Sequence, residues 1–149
     1  MEKLLVSSCL LGMATRYDGK SKKSISDGDL KRLSEKYQII PFCPEIYGGL
    51  PTPRVPSERI GELVKMKNGA DVTENYKKGA SEALSLCLTM NIKKALLKEK
   101  SPSCAKYEIY DGSFSGTLVD GKGVSAELLT ENGIDVYNED EISLLLNQK

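Results

Sequence analysis

The chain contains no histidine and no tryptophan among its 149 residues. Without histidine it lacks the commonest general base and the commonest nitrogen ligand for zinc, so catalytic sites of the Ser-His-Asp or Cys-His type are excluded. Aromatic residues make up only 6% of the chain, which disfavours a stacking platform for single-stranded nucleic acid. Any proton transfer would therefore fall to side chains of other types.

The chain also lacks a net charge, because 21 lysine and arginine residues balance 21 aspartate and glutamate residues. There is thus no bulk field to attract nucleic acid or an anionic membrane. No apolar run approaches the length of a membrane span, and the first residues lack the charged start and long apolar stretch of a signal peptide. We expect a cytoplasmic protein that does not enter a membrane, with nucleic acid disfavoured as a partner.

The length suits one domain with a full core, expected over residues 1–149. Apolar runs alternate with segments of helical periodicity, and this alternation predicts an α/β fold with a mostly parallel open sheet and helices on both faces, similar to a Rossmann-like or flavodoxin-like fold. We expect strands at Lys3–Ser7, Gln38–Phe42, Lys94–Lys98 and Ile134–Tyr137. The corresponding helices are expected at Asp27–Tyr37, Thr73–Asn91, Val124–Asn132 and Glu139–Leu146.

The pattern is mixed outside these elements. Glu58–Leu63 is interpreted as a short helical turn, and Val64–Val72, which alternates around an Asn-Gly pair, as a small inserted hairpin. A loop with a short extended piece is expected over residues 107–117. Residues 20–23, KSKK, are interpreted as a solvated basic turn.

The most distinctive stretch is PFCPEIYGGLPTPR at residues 41–54, with four prolines and two glycines. Proline fixes φ and glycine permits turns that other residues cannot make, so the stretch predicts a shaped loop rather than a helix or regular strand. Cys43 and Glu45 lie in this loop, directly after a predicted strand, where an α/β protein places chemistry. The alternative is a tight turn with a buried cysteine.

Three of the four cysteines, Cys9, Cys43 and Cys104, each follow the end of a predicted strand. Because the carboxyl ends of parallel strands meet at one edge of a sheet, these loops can bring the three thiols within ligand distance. The thiols can hold zinc, with an oxygen or the fourth cysteine as the last ligand, or an iron–sulfur cluster. The absence of any C-x-x-C pair disfavours a zinc ribbon or knuckle. Cys87 lies on the apolar stripe of a helix and is interpreted as a core residue.

Glu45 and Ser101 are the candidates for proton transfer beside these thiols. A partly desolvated glutamate can act as general acid or base, and a serine can hydrogen-bond a substrate heteroatom. Each has a structural alternative, since Glu45 can cap a turn or a helix start and Ser101 can shape its loop. Arg16 and Arg54 can bind an anion, or simply lie in solvent.

The combined motifs resemble the thiouracil desulfurase family, long catalogued as a domain of unknown function. The resemblance covers essentially the whole chain, and the combination of motifs is highly specific. The matching motifs are VSSCLLG at residues 6–12, RYDG at 16–19, CPE at 43–45, GGLPTPR at 48–54, DVT at 71–73, LKE at 97–99, SPSC at 101–104 and YDG at 110–112.

This resemblance implies a [4Fe–4S] cluster held by Cys9, Cys43 and Cys104, with one open iron that takes the sulfur of a thiolated pyrimidine. It also implies that Glu45 and Ser101 assist catalysis. The implied reaction is hydrolytic: the open iron polarises the thiocarbonyl, water attacks the ring carbon, and sulfide is released without net redox.

We expect Ser103, Arg16 and Pro44 to bind the substrate. The expected substrate is a free thiolated base or nucleoside of the 2-thiouracil or 4-thiouridine type. Two alternatives remain at this point: a non-catalytic domain that binds zinc or a small molecule, and a module that binds thiolated RNA, which the neutral charge disfavours.

Overall fold

The computed structural model describes residues 1–19 and 24–148, and the basic turn predicted at 20–23 lies outside these residues. The described strands are β1 (Glu2–Ser7), β2 (Tyr37–Phe42), β3 (Ser57–Ile60), β4 (Leu63–Met66), β5 (Lys94–Leu97), β6 (Glu108–Tyr110), β7 (Leu118–Asp120) and β8 (Asp135–Asn138). The described α-helices are α1 (Asp27–Lys36), α2 (Pro44–Tyr47), α3 (Thr73–Met90), α4 (Val124–Glu131) and α5 (Ile142–Leu146). Within these described ranges, no helix combines the length and apolarity needed to cross a membrane.

The central sheet is parallel throughout and has the strand order β2-β1-β5-β8. Leu5 pairs with Ile40 of β2 on one side and with Ala95 of β5 on the other. From β1 the chain passes outward to β2 and then returns to the other side of β1 at β5, so the direction of winding reverses between β1 and β5. In open α/β sheets, ligands bind at the carboxyl ends of the strands beside such a reversal.

Both faces of the sheet are covered by helices. Successive side chains of a strand point to opposite faces, so β1 contributes Leu5 to one core and Leu4 and Val6 to the other. The core with Leu5 includes residues of α3 and α4, and the opposite core includes residues of α1 and α5. Cys87 is buried in the α3 core, as its place on the apolar stripe indicates. The predicted α/β fold with helices on both faces is confirmed.

Two small antiparallel hairpins lie outside the sheet, β3 with β4 and β6 with β7. The prediction of a helical turn at Glu58–Leu63 is wrong, because most of this segment forms β3 and the turn into β4. Arg59 explains the failure: it is buried, donates to the carbonyl of Gly61 at 2.8 Å and pairs with Glu127 of α4 at 2.6 Å. The hairpin predicted at Val64–Val72 does form around the Asn68-Gly69 turn, with an antiparallel bridge between Lys65 and Asp71 and a hydrogen bond from the Val72 N–H to the Val64 carbonyl at 2.9 Å. On its other side β4 pairs with β3, which the sequence did not predict.

The stretch 41–54 also departs from its prediction, since Pro44–Tyr47 forms one helical turn, α2. Proline is well suited to the first position of a helix, where its missing N–H would have no partner. The helix α2 packs directly on α3, where a Cβ on Gly79 would lie only 2.0 Å from the carbonyl oxygen of Pro44. The glycine therefore lets the two backbones touch, and this contact fixes the residues on either side of Pro44 at the end of β2.

Candidate active site

The carboxyl ends of β1, β2 and β5 open into a cavity of about 530 Å³. Cys9 lies in the 3-10 turn Ser8–Leu11 that directly follows β1, and Cys43 directly follows β2. Cys104 lies in the loop that follows β5. All three cysteines line the cavity, so the structure brings together thiols that are far apart in the sequence.

Burial raises the pKa of each of these thiols. The pKa of Cys9 rises to about 11, first through burial and then through the neighbouring Cys43, with Lys98 opposing the rise. Burial also raises the pKa of Cys43 and of Cys104, although a hydrogen bond from the Ser7 hydroxyl, 3.6 Å from the Cys104 sulfur, partly offsets the latter. Cys9 and Cys43 raise the pKa of Cys104 further, so the three groups lie within electrostatic reach of one another. A bound cation would offset the free-energy cost of ionising these thiols, since cysteine binds a metal as the thiolate.

The carboxylate of Glu45 lies beside the thiols and is held by Arg54. Its Oε2 accepts hydrogen bonds from Nε of Arg54 at 2.7 Å and from Nη2, while its Oε1 lies 3.5 Å from the hydroxyl of Ser101. The side chain of Arg54 is 5% exposed and that of Glu45 is 13% exposed, so solvent and salt screen the pair only weakly. One carboxylate oxygen is therefore occupied, and the other faces Ser101.

The hydroxyl of Ser101 shapes the loop that carries Cys104. Its oxygen accepts hydrogen bonds from the backbone N–H groups of Ser103 and Cys104, both at 3.1 Å. Serine side chains commonly stabilise turns in this way. The hydroxyl proton remains available to Glu45. The position of Ser101 is therefore compatible both with a structural role in the loop and with a catalytic role.

The structure does not place Ser103 against the cavity. Its side chain is 1% exposed, and its hydroxyl lies 2.9 Å from that of Ser125 in α4. Its carbonyl accepts the N–H groups of Ser125 at 2.8 Å and Ala126 at 3.1 Å. The first N–H groups of a helix have no partner within the helix, and here the Cys104 loop supplies their acceptors. Ser103 therefore supports the loop, and its side chain does not line the cavity at which a substrate contact was predicted.

Arg16 and Pro44, the other two predicted substrate contacts, both line the cavity. The side chain of Arg16 is 34% exposed and its Nε lies 4.0 Å from Asp18, which leaves the guanidinium near solvent. Pro44 is buried as the first residue of α2.

Other residues of the cavity lining also carry polar groups that the sequence did not indicate, and three of them are Tyr76, Lys98 and Thr15. Tyr76 of α3 is buried, and burial raises its pKa, with the negative charge of Glu45 raising it further. Lys98 pairs with Glu139 at 2.7 Å. In the sequence Tyr76 belongs to an apolar helical stripe, and the partner of Lys98 lies 41 residues away, so no local pattern reveals that these side chains reach the cavity.

No group of three or more histidine, cysteine, aspartate or glutamate side chains in the described part of the chain is arranged to hold a metal ion.

Comparison with known proteins places the chain among relatives along nearly its full length. The chain is 38% identical, over 153 aligned residues, to the uncharacterized protein YbbK of Bacillus subtilis (strain 168), covering 96% of this chain and 99% of that protein. It is similar in structure to a [4Fe-4S]-dependent thiouracil desulfidase, TudS, with a TM-score of 0.91, 48% identity and 98% of each chain covered. The sequence model of the 2-thiouracil desulfurase family matches residues 4–141. The chain therefore belongs to the 2-thiouracil desulfurase family.

Proposed function

We propose that the protein, as one domain over residues 1–149, is a [4Fe–4S]-dependent thiouracil desulfidase that hydrolyses a thiolated pyrimidine and releases sulfide. The observation that carries this proposal is that one buried and two partly buried thiols meet a carboxylate–hydroxyl pair in one cavity. Membership of the family and the 48% identity with TudS, itself a [4Fe-4S]-dependent thiouracil desulfidase, support the same reaction.

Cys9, Cys43 and Cys104 are the residues that would hold the cluster. In a cubane each thiolate binds a different iron, so the ligands are spread around the group, whereas the ligands of zinc converge on one point. Three thiols that come from three different loops and line one cavity suit the first arrangement. When bound through three thiolates, the cluster supplies a Lewis-acidic iron with an open position for the sulfur of the substrate.

Glu45 is the residue to which we assign proton transfer. Arg54 holds one carboxylate oxygen and leaves the other directed toward Ser101, so the carboxylate has a fixed orientation in the cavity. In that orientation it can accept a proton from the attacking water, and Ser101 can hydrogen-bond a heteroatom of the ring. General acid–base catalysis of this kind contributes about 10²–10⁴-fold to a rate.

The reaction balances without an external electron donor. Water supplies the oxygen that replaces sulfur on the ring carbon, so a C=S bond becomes a C=O bond. The two protons of the water leave with the sulfur as hydrogen sulfide. Glu45 needs only to take up a proton and give it back.

The size of the cavity suits a small thiolated base or nucleoside. Its volume of about 530 Å³ falls within the range of about 300–1,000 Å³ that is typical of small-molecule sites. Arg16 and Pro44 line it and are the substrate contacts that we retain. We place the protein in the cytoplasm, where reduced thiols such as its four free cysteines persist.

Anaerobic reconstitution with iron and sulfide, followed by incubation with 2-thiouracil or 4-thiouridine, tests this function. We expect a brown protein that converts each molecule of substrate into the oxygen analogue and one sulfide, with no added reductant. A protein that binds no iron, or that binds stoichiometric zinc and releases no sulfide, would contradict the proposal.

A further inference from the structure

Phe114 has a backbone conformation that phenylalanine rarely adopts. Its φ is 57°, in the left-handed region, where a bulky side chain is a genuine outlier. Among the described residues other than glycine, only Asn91, Lys100 and Phe114 have a positive φ. Asn91 ends α3, a position that asparagine often takes, whereas Lys100 and Phe114 line the cavity. Strain of this kind persists only where the surrounding structure enforces it, and it is concentrated at functional sites.

Contacts with β3 hold the loop between β6 and β7 in this conformation. The Oε1 atom of Glu58 accepts hydrogen bonds from the backbone N–H groups of Gly112 at 2.8 Å and of Phe114 at 3.1 Å. Gly112 packs so closely against Ile60 that an added Cβ would collide with the Ile60 side chain. The loop is therefore fixed to β3 on both sides of residue 113, and Phe114 has a fixed place in the cavity wall.

The aromatic residues of the described cavity lining are Tyr17, Phe42, Tyr76, Tyr110 and Phe114. Phe42 is buried and stacks on Tyr47, with the ring centroids 4.5 Å apart, and Tyr76 is buried in α3. Phe114 is partly exposed and, in the described part of the chain, stacks on no other ring. Of the three lining residues that are not buried, it alone has no polar end and has a strained backbone.

A thiolated pyrimidine has polar edges and two flat faces that form few hydrogen bonds. The thiols, Glu45 and Ser101 are polar groups and suit its edges. An aromatic side chain suits a face, because nucleobases stack on aromatic rings with a substantial gain in binding free energy.

We propose that Phe114 stacks on the pyrimidine ring of the substrate and selects flat, unsaturated rings over saturated ones. This inference rests on the function proposed above, to which it adds a substrate-binding residue. Glu58 is the positioning residue, because it holds the backbone of Phe114.

Substitutions at Phe114 test the contribution of the ring. Phe114→Ala removes the ring, and Phe114→Tyr keeps it. With the reconstituted enzyme, we expect the KM for 2-thiouracil to rise about 10–100-fold in Phe114→Ala, which is the factor that one base–aromatic stack contributes. The kcat should change little, because a stack that holds the substrate and the transition state equally is uniform binding. Phe114→Tyr should keep the wild-type KM, and an unchanged KM in Phe114→Ala would overturn the inference.

The saturated analogue dihydro-2-thiouracil tests the preference for a flat ring. It carries the same thiocarbonyl, but two of its ring carbons are saturated, so the ring is puckered. We expect the preference of the wild type for 2-thiouracil, measured as a ratio of kcat/KM values, to fall in Phe114→Leu, which keeps apolar bulk without a flat ring. Differences in intrinsic reactivity cancel, because the same pair of substrates is compared in each protein. An equal loss of kcat/KM for both substrates in Phe114→Leu would overturn the stacking.

Glu58 provides the test of positioning. Glu58→Ala removes the acceptor of the two loop N–H groups, whereas Glu58→Gln keeps an oxygen acceptor there. We expect Glu58→Ala to raise the KM toward that of Phe114→Ala and Glu58→Gln to restore most of the wild-type value. Since both residues act through one ring, the double variant Glu58→Ala/Phe114→Ala should have a KM close to that of Phe114→Ala. Fully additive effects would contradict the positioning role.

Binding of uracil, the expected product, gives a readout without turnover. In calorimetric titrations of the reconstituted proteins, the Kd for uracil should rise in Phe114→Ala and stay at the wild-type value in Phe114→Tyr. A wild type that releases no sulfide would contradict the proposed function itself. An active wild type with an unchanged KM and Kd in Phe114→Ala would contradict only the role of Phe114.

Discussion

Arg54 holds the carboxylate of Glu45 through two hydrogen bonds that meet at a single oxygen, Oε2. The same guanidinium donates to the carbonyl of Thr15 at 3.0 Å and to the hydroxyl of Thr52 at 3.1 Å. It therefore joins three segments of the cavity wall. An arginine that the sequence presents as an ordinary loop residue thus fixes the orientation of the proposed acid–base group.

Replacing Arg54 with glutamine should lower the kcat for sulfide release by about 100-fold, because misplacing a reacting group by about 1 Å can cost that much. It should also lower the free energy of unfolding by about 3–5 kcal/mol, since it leaves a largely buried carboxylate unpaired. Arg54→Lys keeps the charge without the paired geometry, so its kcat and its free energy of unfolding should lie between those of wild type and Arg54→Gln. Kinetics and denaturant unfolding measure both effects, and a wild-type kcat in Arg54→Gln would exclude this role.

Glu45→Gln should keep its iron and lose turnover by about 10²–10⁴-fold, because the change removes a proton acceptor and no cluster ligand. Ser101→Ala should also lose turnover, but it removes the acceptor for the N–H groups of Ser103 and Cys104 as well. We therefore expect it to lose in addition about 1 kcal/mol of stability. Ser101→Thr keeps the hydroxyl and is the control for the loop. Iron content and kcat, measured on the same samples, test the roles of Glu45 and Ser101. A colourless Glu45→Gln protein would contradict the assignment of Glu45 to proton transfer alone.

Gly79→Ala should disturb the site from a distance. The added Cβ would meet the carbonyl oxygen of Pro44 at 2.0 Å and push α2, with Cys43 and Glu45, away from α3. We expect a loss of about 1–3 kcal/mol in the free energy of unfolding and a weaker retention of iron. Gly28→Ala is the matched control, because its Cβ in the exposed part of α1 would meet only the end of Arg32 at 3.5 Å. It should be neutral or stabilise by about 0.5–1 kcal/mol. Equal unfolding curves and iron contents for the two variants would exclude the proposed contact.

A double-mutant cycle on Ser103 and Ser125 tests the support of the Cys104 loop. Each single change to alanine should destabilise by about 1 kcal/mol by leaving a buried hydroxyl without its partner, and the double change should cost less than the sum. The KM for 2-thiouracil should stay unchanged in Ser103→Ala, because the side chain does not reach the cavity. A raised KM with unchanged stability would restore Ser103 as a substrate contact.

The sequence could predict the sheet and the positions of the thiols, because both depend on local signals. Apolar runs mark the strands, and Cys9, Cys43 and Cys104 follow strand ends that a parallel sheet brings to one edge. The interpretation of Cys87 as a core residue was equally local, because its neighbours on the helix share its apolar face.

Other features depended on contacts between distant segments. The strand β3 was mistaken for a helical turn because its Arg59 is charged, and its burial is compensated by Glu127 of α4 together with the carbonyls of Gly61 and Lys122. Tyr76 belongs to the apolar stripe of α3 in the sequence, and only the tertiary structure shows that it lies near Glu45. Ser103 shares a motif with Cys104, but its contacts with the first turn of α4 turn it away from the cavity.

The iron bound per chain after anaerobic reconstitution is the most direct measurement of whether Cys9, Cys43 and Cys104 hold the cluster. We expect about four irons per chain in wild type and in Cys87→Ser, and loss of the bound iron in Cys9→Ser, Cys43→Ser and Cys104→Ser. Cys87→Ser is the matched control because Cys87 is a buried core cysteine away from the cavity lining. Full iron content in any one of the other three variants would contradict the proposed ligand set.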